Sequence, residues 1–240
     1  MSTKTTLVTF VLDETGSMQS IKDDTIGGFN SYLDSLRDET HGSVEFTLVK
    51  FDSNKIEKVY VGAPISAVKP LDSQTYKPGA ATPLIDACYK SIKATDDALK
   101  LRDDAPNVLC VLQTDGQENA STEYTFKDLA GLIKEKENAG WTFVFLGAGI
   151  DAYDIGVDKL GLSVANTMSY GRADSKAAFA AMSANTAVYR STGGVSGMSF
   201  SAEQKSAAGD AFIGAKQSGR PNAGATARPT RKAVDDLTFA

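Results

Sequence analysis

The sequence predicts a doubly wound α/β fold: a mostly parallel central sheet with one antiparallel edge strand and helices on both faces. Three observations carry the prediction. Short, uninterrupted apolar runs recur along the chain, as in strands buried on both faces of a parallel sheet. Between them lie stretches whose apolar residues recur every three or four positions, the period of an amphipathic helix. One pair of strand-like runs is joined by a link too short for a crossover, so that pair is an antiparallel hairpin.

The elements follow in order. Residues 7–12, Leu-Val-Thr-Phe-Val-Leu, form the first buried strand. Met18, Ile21, Thr25, Phe29, Tyr32 and Leu36 then mark one helix of about five turns. Val44, Phe46 and Leu48 open a second strand that runs to Phe51, and residues 56–61 return beside it across the turn Asp52-Ser53-Asn54. Residues 62–81 are proline-rich and irregular. A helix begins at Thr82-Pro83, with Thr82 as N-cap and Pro83 in the first turn, and continues to about Leu101. Residues 108–112 are the next strand, 126–138 a helix and 142–146 a strand. Shorter helices are expected over residues 151–160 and 173–189, with an edge strand near 163–167.

Residues 1–190 therefore read as one domain. From residue 191 the chain is rich in Gly, Ala and Ser, and Arg220, Arg228, Arg231 and Lys232 cluster near its end. Residues 191–240 are expected to be an extension with little core of its own and a weak helix over 202–215.

Composition excludes several function classes. A net charge of −5 disfavours nucleic-acid binding, which needs a basic surface. No apolar run reaches membrane-spanning length, and the first residues lack a signal peptide's apolar core. Two cysteines, Cys88 and Cys110, sit in apolar contexts, as in a reduced protein. A cytoplasmic location is the expectation. His41 is the sole histidine and falls in a helix-to-strand turn, which leaves little scope for histidine-based catalysis or a His-rich zinc site.

Ligands of open α/β sheets bind at the carboxyl ends of strands where the strand order reverses. Three segments fall there: Asp13-Glu14-Thr15-Gly16-Ser17, Gly79-Ala80-Ala81-Thr82-Pro83 and Thr114-Asp115-Gly116. They bring only oxygen donors, which suit a hard cation such as Mg²⁺ or Mn²⁺ and not zinc. Two carboxylates would balance the charge of the metal and leave it electrophilic toward a further anionic oxygen. Glu14, Glu118 and Asn119 flank the set and are expected to shape its rim; Gln113 has no assigned role.

The order Asp-x-Thr-Gly-Ser, a distant Thr before a helix, then Thr-Asp-Gly resembles the metal-ion-dependent adhesion site of von Willebrand factor type A (vWA) domains. Asp13, Thr15 and Ser17 match its first motif, Thr82 its second position and Asp115 its third, over a resemblance that covers roughly residues 5–190. Thr15 departs from the family's usual Ser but keeps the hydroxyl. The resemblance implies that these five residues hold Mg²⁺ or Mn²⁺ and that an Asp or Glu of a protein partner supplies the last ligand. It implies a non-enzymatic binding module, an intracellular adaptor like the compact vWA proteins of bacteria and bacteriophages that act in stress or tellurite-resistance systems or in assembly.

Two other readings stand beside it. Asp13-Glu14-Thr15-Gly16 also resembles the nucleophile loop of haloacid-dehalogenase-like phosphotransferases. There Asp13 would form an aspartyl-phosphate, Asp115 and Asn119 would hold Mg²⁺, and Lys90 or Lys93 would meet the phosphate. Against it, a helical stripe starts at Met18 where that superfamily inserts a loop and hairpin. The other reading is a structural subunit whose extension orders on assembly. Gly147-Ala148-Gly149 matches a loose dinucleotide pattern, but no acidic strand end follows, and tight strand-to-helix packing explains it better.

Overall fold

The computed structural model describes residues 4–193 and 195–214. Its strands are β1 (Thr6–Asp13), β2 (Val44–Asp52), β3 (Lys55–Pro64), β4 (Asn107–Thr114), β5 (Thr142–Ala148) and β6 (Thr167–Tyr170). Its α-helices are α1 (Lys22–Leu36), α2 (Leu84–Leu99), α3 (Phe126–Asn138), α4 (Ser175–Thr192) and α5 (Ala202–Ala207). The sheet order is β3-β2-β1-β4-β5-β6. β3 runs antiparallel to β2, and every other neighbouring pair is parallel. The doubly wound sheet with its antiparallel edge is therefore present as the sequence predicts.

Alternation along each strand feeds two cores. Val8, Phe10 and Leu12 of β1 point to the face covered by α1 and α4, whereas Val11 points to the face covered by α2 and α3. On the first face Phe10 meets Phe29 edge-on, with centroids 5.3 Å apart, and stacks at 6.4 Å on Phe179. Gly28 lets α1 approach α4 there, since a Cβ at that position would fall 2.2 Å from the Phe179 ring. Gly28→Ala is expected to cost about 1–3 kcal/mol through overpacking, read as a lower denaturant midpoint at unchanged slope. Cys88 and Cys110 lie in the second core as free thiols, and burial pushes both well above the usual thiol range. No helix among the described residues is long and apolar enough to cross a membrane.

Several elements differ from the sequence expectation. The first helix is divided: residues Gly16–Ile21 form a tight 3₁₀ turn before α1 begins at Lys22, because Met18 N–H bonds back to Thr15 O at 3.1 Å. Pro83, not Thr82, occupies the N-cap of α2, and no side chain caps it from there. Residues 154–159 form a wide π-type turn closed by Leu160 N–H to Ile155 O at 2.9 Å. The edge strand lies four residues later than expected, since Ser163 caps a short 3₁₀ turn over Val164–Asn166. His41 ends a further short turn, Glu39–His41.

Packing also continues past residue 190. Met198, Phe200 and Ala208 are buried in the same core as α1 and α4. Asp210 fastens this segment: its carboxylate accepts from Tyr153 Oη at 2.5 Å and from Ser169 N at 3.2 Å. The small residues around Met198 and Phe200 hid those two anchors in the sequence. The expected helix over 202–215 is broken: α5 ends at Ala207, helical structure resumes at residue 213, and residue 215 and the basic cluster at 220–232 lie outside the described residues.

Candidate metal centre

The strand order reverses at β1, whose two parallel neighbours are β2 and β4. The carboxyl ends of β1 and β4 therefore frame the crevice in which such sheets bind ligands. Asp13 is the last residue of β1, and Thr114 the last of β4. Parallel register sets Leu12 beside Gln113, so the loops carrying Asp13 and Asp115 emerge side by side.

Hydrogen bonds then gather the predicted residues. Asp13 Oδ1 accepts from Thr15 N at 2.7 Å, and Oδ2 from Thr114 Oγ1 at 2.5 Å. Thr15 Oγ1 lies 3.3 Å from Ser17 Oγ, which donates to Asp115 Oδ1 at 2.5 Å. Thr82 joins through Gly116: a Cβ there would sit 3.3 Å from Thr82 Oγ1 and 3.4 Å from Ser17 Oγ. The absent side chain leaves a small cradle walled by two hydroxyls, one of which is bonded to Asp115. Asp13, Thr15, Ser17, Thr82 and Asp115 thus converge from three loops.

The electrostatics of this cradle favour a cation. Burial raises Asp13 from 3.8 to about 6, against the opposing hydrogen bonds from Thr114 and Thr15. Burial also raises Asp115, and the bond from Ser17 and the nearby Arg172 oppose it. Asp115 meets the Arg172 guanidinium at 3.1 Å, whereas Asp13 is held by an amide and a hydroxyl donor, so the pair keeps a net negative charge in a poorly solvated pocket. No three His, Cys, Asp or Glu side chains cluster among the described residues, so a cation here would rest on two carboxylates and neutral hydroxyls. That donor set is hard and all-oxygen, and it fits Mg²⁺ or Mn²⁺.

The flanking residues have definite tasks. Glu14 turns away from the cradle, 2% exposed, and meets Lys50 Nζ at 2.9 Å. Lys50 also donates to Thr75 O at 2.6 Å, while Lys77 N donates to Glu14 Oε1 at 2.6 Å. Tyr76 Oη donates to Asp13 O at 2.6 Å. Gly79 N bonds Glu14 O at 2.9 Å and Gly16 N bonds Ala80 O at 3.0 Å, tying the irregular loop to the first motif. Ala80 adopts a left-handed φ of 60° to reach that bond, a conformation that costs a non-glycine residue about 1–2 kcal/mol.

The loop after Asp115 caps α2 from outside the helix. Glu118 Oε2 accepts from Ile85 N at 2.8 Å, and Ser121 Oγ from Asp86 N at 3.0 Å. Asn119 clamps Thr82 twice: Oδ1 accepts from Thr82 N at 2.8 Å, and its own N–H bonds Thr82 O at 3.1 Å. Relieved of capping, Thr82 keeps its hydroxyl at the cradle. Gln113 has a partner too, donating from Nε2 to Tyr170 Oη at 2.8 Å.

Sequence reasoning placed no function on Lys50, Tyr76 or Arg172. Lys50 had a legible signal, a charge interrupting the apolar run of β2. Arg172 follows the carboxyl end of β6, as ligand-edge residues do, but the misplaced edge strand concealed that. Lys90 and Lys93 pair with Glu123 at 2.5 Å and Asp97 at 2.7 Å. Gly147 packs as expected, since a Cβ there would come within 2.8 Å of Ala152.

No family model and no curated protein matches the sequence. Solved structures do match in fold. Proximal thread matrix protein 1 from the mussel byssus superposes at a TM-score of 0.54 and 11% identity, covering 74% of this chain and 47% of that one. The vWF domain of the type V pili tip protein Mfa5 from Porphyromonas gingivalis matches at 0.54 and 13%, over 76% and 95% of the two chains. A von Willebrand factor type A protein from Catenulispora acidiphila matches at 0.53 and 17%, over 78% and 43%. The chain spans about half the length of the mussel protein it matches. The fold is that of a von Willebrand factor type A domain.

Proposed function

We propose that the protein is a metal-dependent protein-binding module. Asp13, Thr15, Ser17, Thr82 and Asp115 would hold Mg²⁺ or Mn²⁺, and an Asp or Glu side chain of a protein partner would complete the ligand sphere. The observation that carries this reading is the cradle at Gly116, where the Thr82 and Ser17 hydroxyls meet and Ser17 links them to the buried carboxylate of Asp115. A bound cation supplies there a Lewis-acidic position for one carboxylate oxygen. The protein's own part is to hold the donors in place and shield them from water, with Asn119 fixing Thr82, and Thr15 N–H and Thr114 fixing Asp13.

The module is read as an intracellular adaptor of bacterial or phage type, not an enzyme. Two buried, unpaired cysteines suit a reducing compartment. The phosphotransferase alternative lacks support at its lysine: Lys90 and Lys93 are engaged with surface carboxylates, and Lys50 is held by Glu14. The loops 62–81 and 117–124 border the cradle and would set partner specificity.

Calorimetric titration of Mg²⁺ and Mn²⁺ into metal-stripped protein tests the proposal. Saturable one-site binding is expected, weakened at least about tenfold in Thr82→Ala, the loss that even outer-sphere partners of a metal typically cause. Absence of binding by the unsubstituted protein, or binding untouched by Thr82→Ala, would overturn it.

A further inference from the structure

Arg172 reaches Asp115 from the β6 edge of the sheet. It follows β6, and its side chain lies across Gly149: a Cβ on that glycine would fall 2.8 Å from Nε and 2.9 Å from Cγ. Gly149 itself holds φ +65° and bonds Tyr170 O at 2.7 Å, so the backbone is shaped to let the arginine pass. At its tip, NH2 donates to Asp115 Oδ2 at 3.1 Å, and NH1 donates to Ser20 Oγ on the turn that also carries Ser17. Both oxygens of Asp115 are thereby engaged, Oδ1 by the Ser17 hydroxyl and Oδ2 by the guanidinium.

We propose that Arg172 is a built-in counter-cation of this site, which neutralises Asp115 in the metal-free protein and competes with the divalent ion for it. The inference rests on the metal-binding reading above and adds what regulates that site. Arginine stays charged at every physiological pH, so the competition is a fixed electrostatic one. Its geometry permits release: the Asp115 side chain is 0% exposed, but that of Arg172 is 45% exposed and can turn into water while its stem stays on Gly149. A cation entering the cradle meets a like charge already seated at one of its two carboxylates. Arg172 therefore lowers metal affinity, and its displacement puts a free guanidinium at the rim, where an acidic partner would arrive. Metal entry and partner recognition are coupled through one side chain.

The test is calorimetric titration of Mn²⁺ alone into metal-stripped wild type, Arg172→Gln and Arg172→Lys, each checked by thermal melting for a folded state. Arg172→Gln is expected to bind Mn²⁺ about tenfold more tightly. Arg172→Lys, which keeps the charge, should remain closer to wild type. Wild-type binding with Arg172→Gln unchanged or weaker would overturn the counter-cation role and leave the metal site standing, with Arg172 as a strut. No binding by any of the three would overturn the metal site itself, and this inference with it.

Discussion

Asp13→Asn is expected to raise the thermal midpoint of the metal-free protein at pH 7 and to abolish its stabilisation by Mg²⁺ or Mn²⁺. The folded-state value of Asp13 is raised from 3.8 to about 6 by burial. Above pH 6 the carboxylate is charged in both folded and unfolded states, but only the folded state carries it poorly solvated. The rise corresponds to roughly 3 kcal/mol opposing folding at neutral pH. Asparagine removes the charge yet can keep both hydrogen bonds, accepting from Thr15 N and donating to the Thr114 hydroxyl. A gain of about 1–3 kcal/mol follows, or several degrees for a chain of this size.

The sign with pH follows from the raised value. Wild-type stability increases as pH falls through 6, because the folded state takes up the proton first. The advantage of Asp13→Asn is therefore largest above pH 6, shrinks between 6 and 3.8, and is gone below 3.8. Adding metal reverses the ranking, since ligand binding stabilises the wild type by mass action and the variant has lost one of two ligand charges. Melting curves in chelator and in millimolar Mn²⁺ across this pH range read both effects. A variant less stable than wild type in chelator at pH 7, or still stabilised by metal, would show that Asp13 is a structural cap. A stability cost that vanishes when function is lost is the usual mark of a site selected for binding.

Much of this was legible in the residues. The apolar runs of β1, β4 and β5 and the turn at Asp52-Ser53-Asn54 disclosed the parallel centre of the sheet and its antiparallel edge, because strands buried on both faces read as continuous apolar runs. The same periodicity put Asp13 and Asp115 at the ends of β1 and β4, whereas the grouping of Thr15, Ser17 and Thr82 with them came from the resemblance to the adhesion-site motif. What the sequence did not disclose depends on contacts between distant segments. Thr82 reads as an N-cap because local sequence cannot reveal that Glu118 and Ser121 supply the caps of α2. Arg172 reads as a loop residue because its partners, Asp115 and Ser20, are 57 and 152 positions away. The core contribution of Met198 and Phe200 was masked by the glycine and serine around them, where periodicity has nothing to measure.

Lys50→Met should destabilise the fold by about 3–5 kcal/mol, the usual consequence of stranding one member of a buried ion pair. Glu14 and Lys50 are 2% and 6% exposed and 2.9 Å apart. Without the ammonium, Glu14 retains the Lys77 N–H and a 4.0 Å approach from Lys55, too little to solvate a charge in that position. Thr75 O loses its donor as well. The expected fall in midpoint is about 10 °C or more. The double variant Glu14→Gln, Lys50→Met should recover most of it, because a neutral pair leaves no buried charge without a partner. The same experiment speaks to the site. Glu14 and Lys50 anchor residues 75–77, and the loop they begin delivers Gly79 to Glu14 O and Ala80 O to Gly16 N, the bonds that orient Thr15 and Ser17. Metal affinity should therefore drop in Lys50→Met and return with the double variant. If Lys50→Met costs under about 1 kcal/mol, the pair is an ordinary surface ion pair in energy, and the first motif keeps its shape without it.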